Sequence, residues 1–194
     1  MKYCGTLFNL VRSASLAMLL FAMVGASVSA EEIPLSDRLD RLFSELQSSQ
    51  SELEARRIAG QIDDLWRGAR GETARLLLSR ADEAIADEDF TLAIDVLDQL
   101  IALEPEFAEA WNRRATVYYL KDDYGHSLAD IAVTLALEPR HFGALTGLGL
   151  MLEDLGEDKK AYDALKRALE LNPFQEEVRR ELESLERSAL GQPI

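Results

Sequence analysis

The side chains that could do chemistry are two histidines, one cysteine, and carboxylates, some of which occur in adjacent pairs. His126 and His141 stand apart from any His/Cys partner at metal-ligand spacing, so neither predicts a metal centre, and both read as solvated or turn residues. The carboxylate pairs Asp63-Asp64, Glu153-Asp154 and Glu176-Glu177 are sequence neighbours. Neighbours on a helix do not face one another, so these pairs read as wet helix faces rather than an acid/base dyad. Gly143, Gly147 and Gly149 form no dinucleotide or phosphate loop; inside a helix they imply close helix packing instead. With no activated nucleophile, metal or cofactor loop, no catalytic residue is assigned and no cofactor is expected.

Charge narrows the partners. The chain has 194 residues with 35 acids against 21 bases, a net charge of −14 and a sequence pI near 4.6. Phosphate neutralisation needs surplus Lys and Arg, which argues against nucleic acid. An apolar fraction of 47% is ample for a buried core.

Residues 1–30 contain no acid, while Lys2 and Arg12 supply positive charge ahead of an apolar stretch, Leu16 to Val24. That stretch has the length of a secretory h-region and is shorter than the ~20 residues of a spanning helix. It ends in Val28-Ser29-Ala30, small or neutral residues at the positions a signal peptidase reads, and Glu31 follows. We therefore expect a signal peptide cleaved between Ala30 and Glu31; an uncleaved N-terminal anchor is the alternative. Cleavage leaves a periplasmic or secreted chain with no stable membrane anchor. Removing two bases and no acid takes its charge from −14 to −16 and deletes Cys4, the only cysteine. Disulfides then contribute nothing, and stability rests on packing.

The elements that carry the remaining residues are set by an internal repeat. Pro105, Pro139 and Pro173 are 34 residues apart, and each closes a similar phrase: Ala102-Leu103-Glu104, Ala136-Leu137-Glu138 and Glu170-Leu171-Asn172. Three blocks follow, 74–107, 108–141 and 142–175. Their eighth positions are Ala81, Ala115 and Gly149, their twentieth Ala93, Ser127 and Ala161, and their twenty-fourth Leu97, Ile131 and Leu165. Small residues at the eighth and twentieth let two antiparallel helices approach, and the large aliphatic fills the space beside them. Polar turns at 87–89, 121–123 and 156–158 separate the helices, and each proline stops the second one.

Period and positions together resemble the tetratricopeptide repeat. The resemblance implies an all-α, right-handed α-solenoid of antiparallel helix pairs, about nine helices in the mature chain. The chain departs from the pattern at the seventh position, where Arg80 and Arg114 replace an apolar residue. Their stems are expected to lie along the core with the heads in water; local neutralisation of acids is the other reading. Residues 31–73 read as an N-terminal helix pair, a degenerate first repeat or a cap. Residues 174–194 read as a capping helix and tail, with Val178, Leu182 and Leu185 on one stripe.

The resemblance also implies a concave groove lined by the first helix of each repeat. The matching residues are Arg75 in block one, Asn112, Arg113, Thr116 and Tyr119 in block two, and Thr146 in block three. Asn112, Thr116 and Tyr119 recur at i, i+4 and i+7 and so share a face. Asn offers donor and acceptor to an extended backbone, Arg grips carboxylates, and Tyr adds a flat apolar contact with a polar tip. The implied function is a non-enzymatic scaffold or adaptor of the cell envelope that binds a protein or an extended peptide segment. A self-associating envelope component is the second reading, an enzyme or metal protein a remote third. The apparent caps at both ends favour a monomer or weak dimer.

Overall fold

The computed structural model describes residues 33–68 and 70–189, which form helices joined by short turns. The segment 1–30, with its expected boundary at Ala30 and Glu31, lies outside the described residues. Nine helices and no strand occur among those described: α1 (Leu35–Ser48), α2 (Glu52–Gly68), α3 (Gly71–Ala86), α4 (Phe90–Leu103), α5 (Ala108–Leu120), α6 (Tyr124–Leu137), α7 (Phe142–Asp154), α8 (Asp158–Leu171) and α9 (Glu176–Ala189). None of them is long and apolar enough to cross a membrane.

Helices α3–α4, α5–α6 and α7–α8 are the three repeats. Their spacer positions pack as the pattern requires: Ala81, Ala115, Ala93 and Ala161 are buried, as are Leu97, Ile131 and Leu165. Ser127, at a position otherwise alanine, is buried and satisfies its hydroxyl on the Ala115 carbonyl at 2.7 Å. At Gly149 an added Cβ would come within 2.3 Å of Leu165 Cδ2, so close packing accounts for this glycine.

The turns inside the repeats are also equivalent. Glu88, Asp122 and Gly156 each occupy the fifteenth position of a block, and each has a positive φ, of 59°, 57° and 74°. Asp89 and Asp123 follow and cap α4 and α6 by accepting from the backbone N–H of Leu92 and His126. A lost cap of this kind costs about 1 kcal/mol.

The N-terminal pair departs from a stacked repeat. Leu39, Phe43 and Leu46 of α1 and Ala55, Ile58, Ile62 and Trp66 of α2 bury together, and Phe142, Leu171 and Phe174 pack on them. Phe43 meets Phe142 edge-on at 6.4 Å, and the Gln47 amide donates to the Glu170 carbonyl. A repeat in line with the stack touches its neighbour alone; this pair reaches the third repeat as well as the first. Its large aromatics, in place of the repeat's small spacer residues, give it a surface that fills space rather than one that stacks. At the other end Val178 and Leu185 of α9 bury against Leu145, Leu165 and Ala168, covering the last repeat.

Candidate partner-binding face

The first helices α3, α5 and α7 bring the sequence-selected residues together unequally. Arg113 of α5 lies between two carboxylates, with Nε 3.3 Å from Asp82 of α3 and 2.9 Å from Oε1 of Glu109. Those two atoms face each other without an aligned N–H, so the contact with Glu109 is coulombic rather than a hydrogen bond. Asp82 is also held by Arg67 of α2. Arg113 therefore works inside the fold, as one link of a charged chain joining α2, α3 and α5.

That chain continues to His141. Glu109 is 1% exposed, and its Oε2 lies 2.9 Å from His141 Nε2. His141 Nδ1 accepts from the Ala144 backbone N–H at 3.1 Å and so caps α7. Accepting at Nδ1 leaves the hydrogen on Nε2, which donates to Glu109. Trp66 stacks on the imidazole with centroids 4.4 Å apart and donates from Nε1 to Glu138. The expectation of a solvated or turn histidine is thus corrected for His141: it sits at a turn but is buried and doubly hydrogen-bonded. Local spacing hid this because its partner lies 32 residues away.

Burial acts against charge on Glu109, yet the hydrogen bond it accepts from His141 and the positive charges of Arg113 and Arg67 outweigh that and hold its pKa below the ordinary value. Nearby Asp63, half-buried rather than solvated, goes the other way: burial first, then the charge of Glu109, push it up.

Arg114 is also corrected. It does not snorkel. Its Nε and Nη2 donate to both oxygens of the buried Asp130 at 2.7 and 2.8 Å, Nη1 reaches Asp98, and the guanidinium lies 4.9 Å from the Trp111 ring centre. The Asp130 hydrogen bond is the leading cause of a raised pKa for Arg114. Arg80, by contrast, is exposed.

The rest of the selected set is more open. Arg75 is exposed and pairs with Glu72 on its own helix. Thr146 donates to Oε1 of Gln175, just ahead of α9. Thr116 is exposed, and its hydroxyl returns to the Asn112 carbonyl. Tyr119 donates to Asp154 of α7 at 3.0 Å, which raises the phenol's pKa. Asn112 is half-buried, and among the described residues its side-chain amide has no hydrogen-bond partner. The open part of the face is therefore Asn112, Thr116 and Tyr119, with Leu120 and Leu150 exposed beside them.

Three stacked helix pairs of one length, with equivalent turns and an inner row of first helices, define an α-solenoid of repeated helical hairpins. Residues 78–133 and 142–175 match family models described as the tetratricopeptide repeat. A TPR repeat-containing protein of Rhizobium etli is 38% identical over 154 residues, covering 79% of this chain and 76% of that protein. The chain belongs to the tetratricopeptide repeat proteins. Similar solved structures include the first such domain of Spaghetti (RPAP3) bound to the HSP90 peptide SRMEEVD, at a TM-score of 0.58 and 20% identity, covering 60% of this chain and 93% of that one. The TPR2B domain of yeast Sti1 in its pHsp70 complex gives a TM-score of 0.53 at 20% identity, over 62% and 98% of the two chains. At these identities the likeness is one of fold.

Proposed function

We propose that this protein is a non-enzymatic scaffold that binds an extended segment of a partner protein on the open part of its inner face, and that it does so in the cell envelope. The observation that carries the reading is Asn112. It is half-buried beside exposed Thr116 and half-buried Tyr119, and among the described residues its amide has no hydrogen-bond partner. The amide atoms are not among the buried unmatched atoms and so stay open to solvent, where an extended backbone supplies both a donor and an acceptor for them. Solved relatives of this fold hold chaperone peptides, which supports the class of ligand. The envelope assignment rests on the signal-like pattern of residues 1–30. Arg113 and Glu109 are not part of this proposal, because they hold α2, α3, α5 and α7 together.

The test is capture of partners from an envelope extract by the wild type and by a variant carrying Asn112→Ala, Thr116→Ala and Tyr119→Phe. These changes leave the buried charge chain intact. We expect capture to be lost with unchanged helicity and melting temperature. Undiminished capture by the folded variant would remove the inner face from the reading. Cell fractionation tests the compartment, and retention of the chain in the cytoplasm would defeat it.

A further inference from the structure

The N-terminal pair also carries charged groups that neither packing nor the inner face uses. Arg38, Arg41, Leu42 and Glu45 of α1 and Arg57, Gln61, Asp64 and Leu65 of α2 line an open cleft of about 440 Å³. The two sets fall at i, i+3, i+4, i+7 and i, i+4, i+7, i+8, so each helix turns one continuous face to the cleft. The opposite faces, with Leu39, Phe43, Leu46, Ile58, Ile62 and Trp66, are spent on the core.

The arginines of this cleft differ from most others in the chain. Arg67, Arg70, Arg75, Arg113, Arg114 and Arg140 all sit within ion-pair distance of a carboxylate. Among the described residues Arg38, Arg41 and Arg57 have no such partner, and Arg57 donates only to the neutral Gln61 at 3.1 Å. In a chain of net charge −14, three uncommitted guanidinium groups around one cleft are a local reversal of sign. Leu42 and Leu65, both half-buried, supply its apolar lining.

We propose that this cleft docks an acidic segment of a partner protein, with carboxylates on Arg38, Arg41 and Arg57 and an apolar side chain between Leu42 and Leu65. The chemistry selects this occupant over other anions. Guanidinium groups take carboxylates in two-point contact, and a leucine-lined floor asks for a side chain, not a bare ion. Glu45 and Asp64 interrupt the basic lining, so the ligand must seat its carboxylates on the arginines and keep them away from these two acids. A uniformly anionic bilayer cannot, and the whole chain's charge repels it. The site is independent of the inner face proposed above: it lies on different helices.

The probe is a labelled amphipathic peptide of Glu and Asp with leucine at helical spacing, titrated against the full chain; the controls are its Lys-for-acid counterpart, inorganic phosphate and vesicles of anionic lipid. We expect saturable binding of the acidic peptide that weakens with salt. We also expect roughly tenfold weaker binding in Arg38→Gln/Arg41→Gln/Arg57→Gln and tighter binding in Glu45→Gln/Asp64→Asn. All five side chains are exposed, so the variants fold, and a thermal melt verifies this. Equal affinity of wild type and triple variant overturns the proposal, as does absence of binding by the acidic peptide. Vesicle binding that fails in the triple variant would replace the partner with a lipid surface and overturn it as well.

Discussion

His141 Nε2 donates to Glu109 Oε2 across 2.9 Å, and the two side chains are 3% and 1% exposed. This contact ties the first turn of α5 to the N-cap of α7, and Trp66 of α2 seals it from above. Removing either partner leaves a buried polar group unmatched.

We expect Glu109→Ala to cost about 3–5 kcal/mol, the usual penalty for breaking a buried pair. His141→Ala should cost less, because Glu109 keeps Arg113. Urea unfolding of the two single variants and the double variant should show strong coupling; additive costs would mean the pair acts as two independent residues. The pH dependence has a definite sign. The folded pKa of Glu109 is depressed below 4.5, so its contribution is fully present above that value and is lost as pH falls through the folded one. Glu109→Gln should flatten this acid limb of the stability profile.

Glu153 predicts the opposite slope. Burial, a hydrogen bond with Glu181 of α9 and the charges of Glu181, Asp154 and Asp158 push its pKa up to about 7. The folded state then binds a proton that the unfolded state releases above about 4.5. Stability must fall as pH rises between those values. Melting temperature in the wild type should drop between pH 5 and pH 8, and Glu153→Gln should raise it at the alkaline end with less effect at the acid end. An equal gain at both ends would show that Glu153 acts through packing alone.

Arg114 is the third case. Its planar fork meets both oxygens of Asp130 while also reaching Asp98, a geometry an ammonium cannot copy. We expect Arg114→Lys to lose most of what Arg114→Ala loses, about 2–4 kcal/mol by chemical denaturation. Replacing the pair together, Arg114→Leu with Asp130→Leu, should recover much of that loss, because no buried charge is then left stranded and Asp98, which loses its partner, is exposed to water. A lysine variant as stable as the wild type would show that a point charge suffices.

Much of this architecture is written locally. The proline period, the small eighth and twentieth positions and the aliphatic twenty-fourth place each hairpin, since each acts within one repeat. What the sequence hides is pairing between helices, both within a repeat and across repeats. Arg114 sits where the repeat usually has an apolar residue, and only the fold reveals that Asp130 and Asp98 stand beside it. Arg113 and Asn112 are adjacent in sequence and equally plausible as ligand contacts. The fold separates them, because Asp82 and Glu109 take up the guanidinium and leave the amide. The course of α1 and α2 was likewise illegible: an amphipathic stripe reports that a face is buried, not which repeat buries it.

The turn glycine gives the cleanest of these tests, because space and backbone strain separate there. At Gly156 a Cβ would meet no atom within 4 Å, yet φ is 74°, a left-handed conformation. Gly156→Ala therefore measures the backbone term alone, and we expect a loss of about 1 kcal/mol. Glu88 and Asp122 hold the equivalent position with φ of 59° and 57°, so Glu88→Gly and Asp122→Gly should move the other way. Their gain should be smaller, because glycine also loses more chain entropy on folding. Thermal melts of the three variants would check both signs. A stabilised alanine variant at Gly156 would mean that the turn relaxes out of the left-handed region when it carries a side chain, and that its conformation is set by local preference rather than imposed by the packing of α7 on α8.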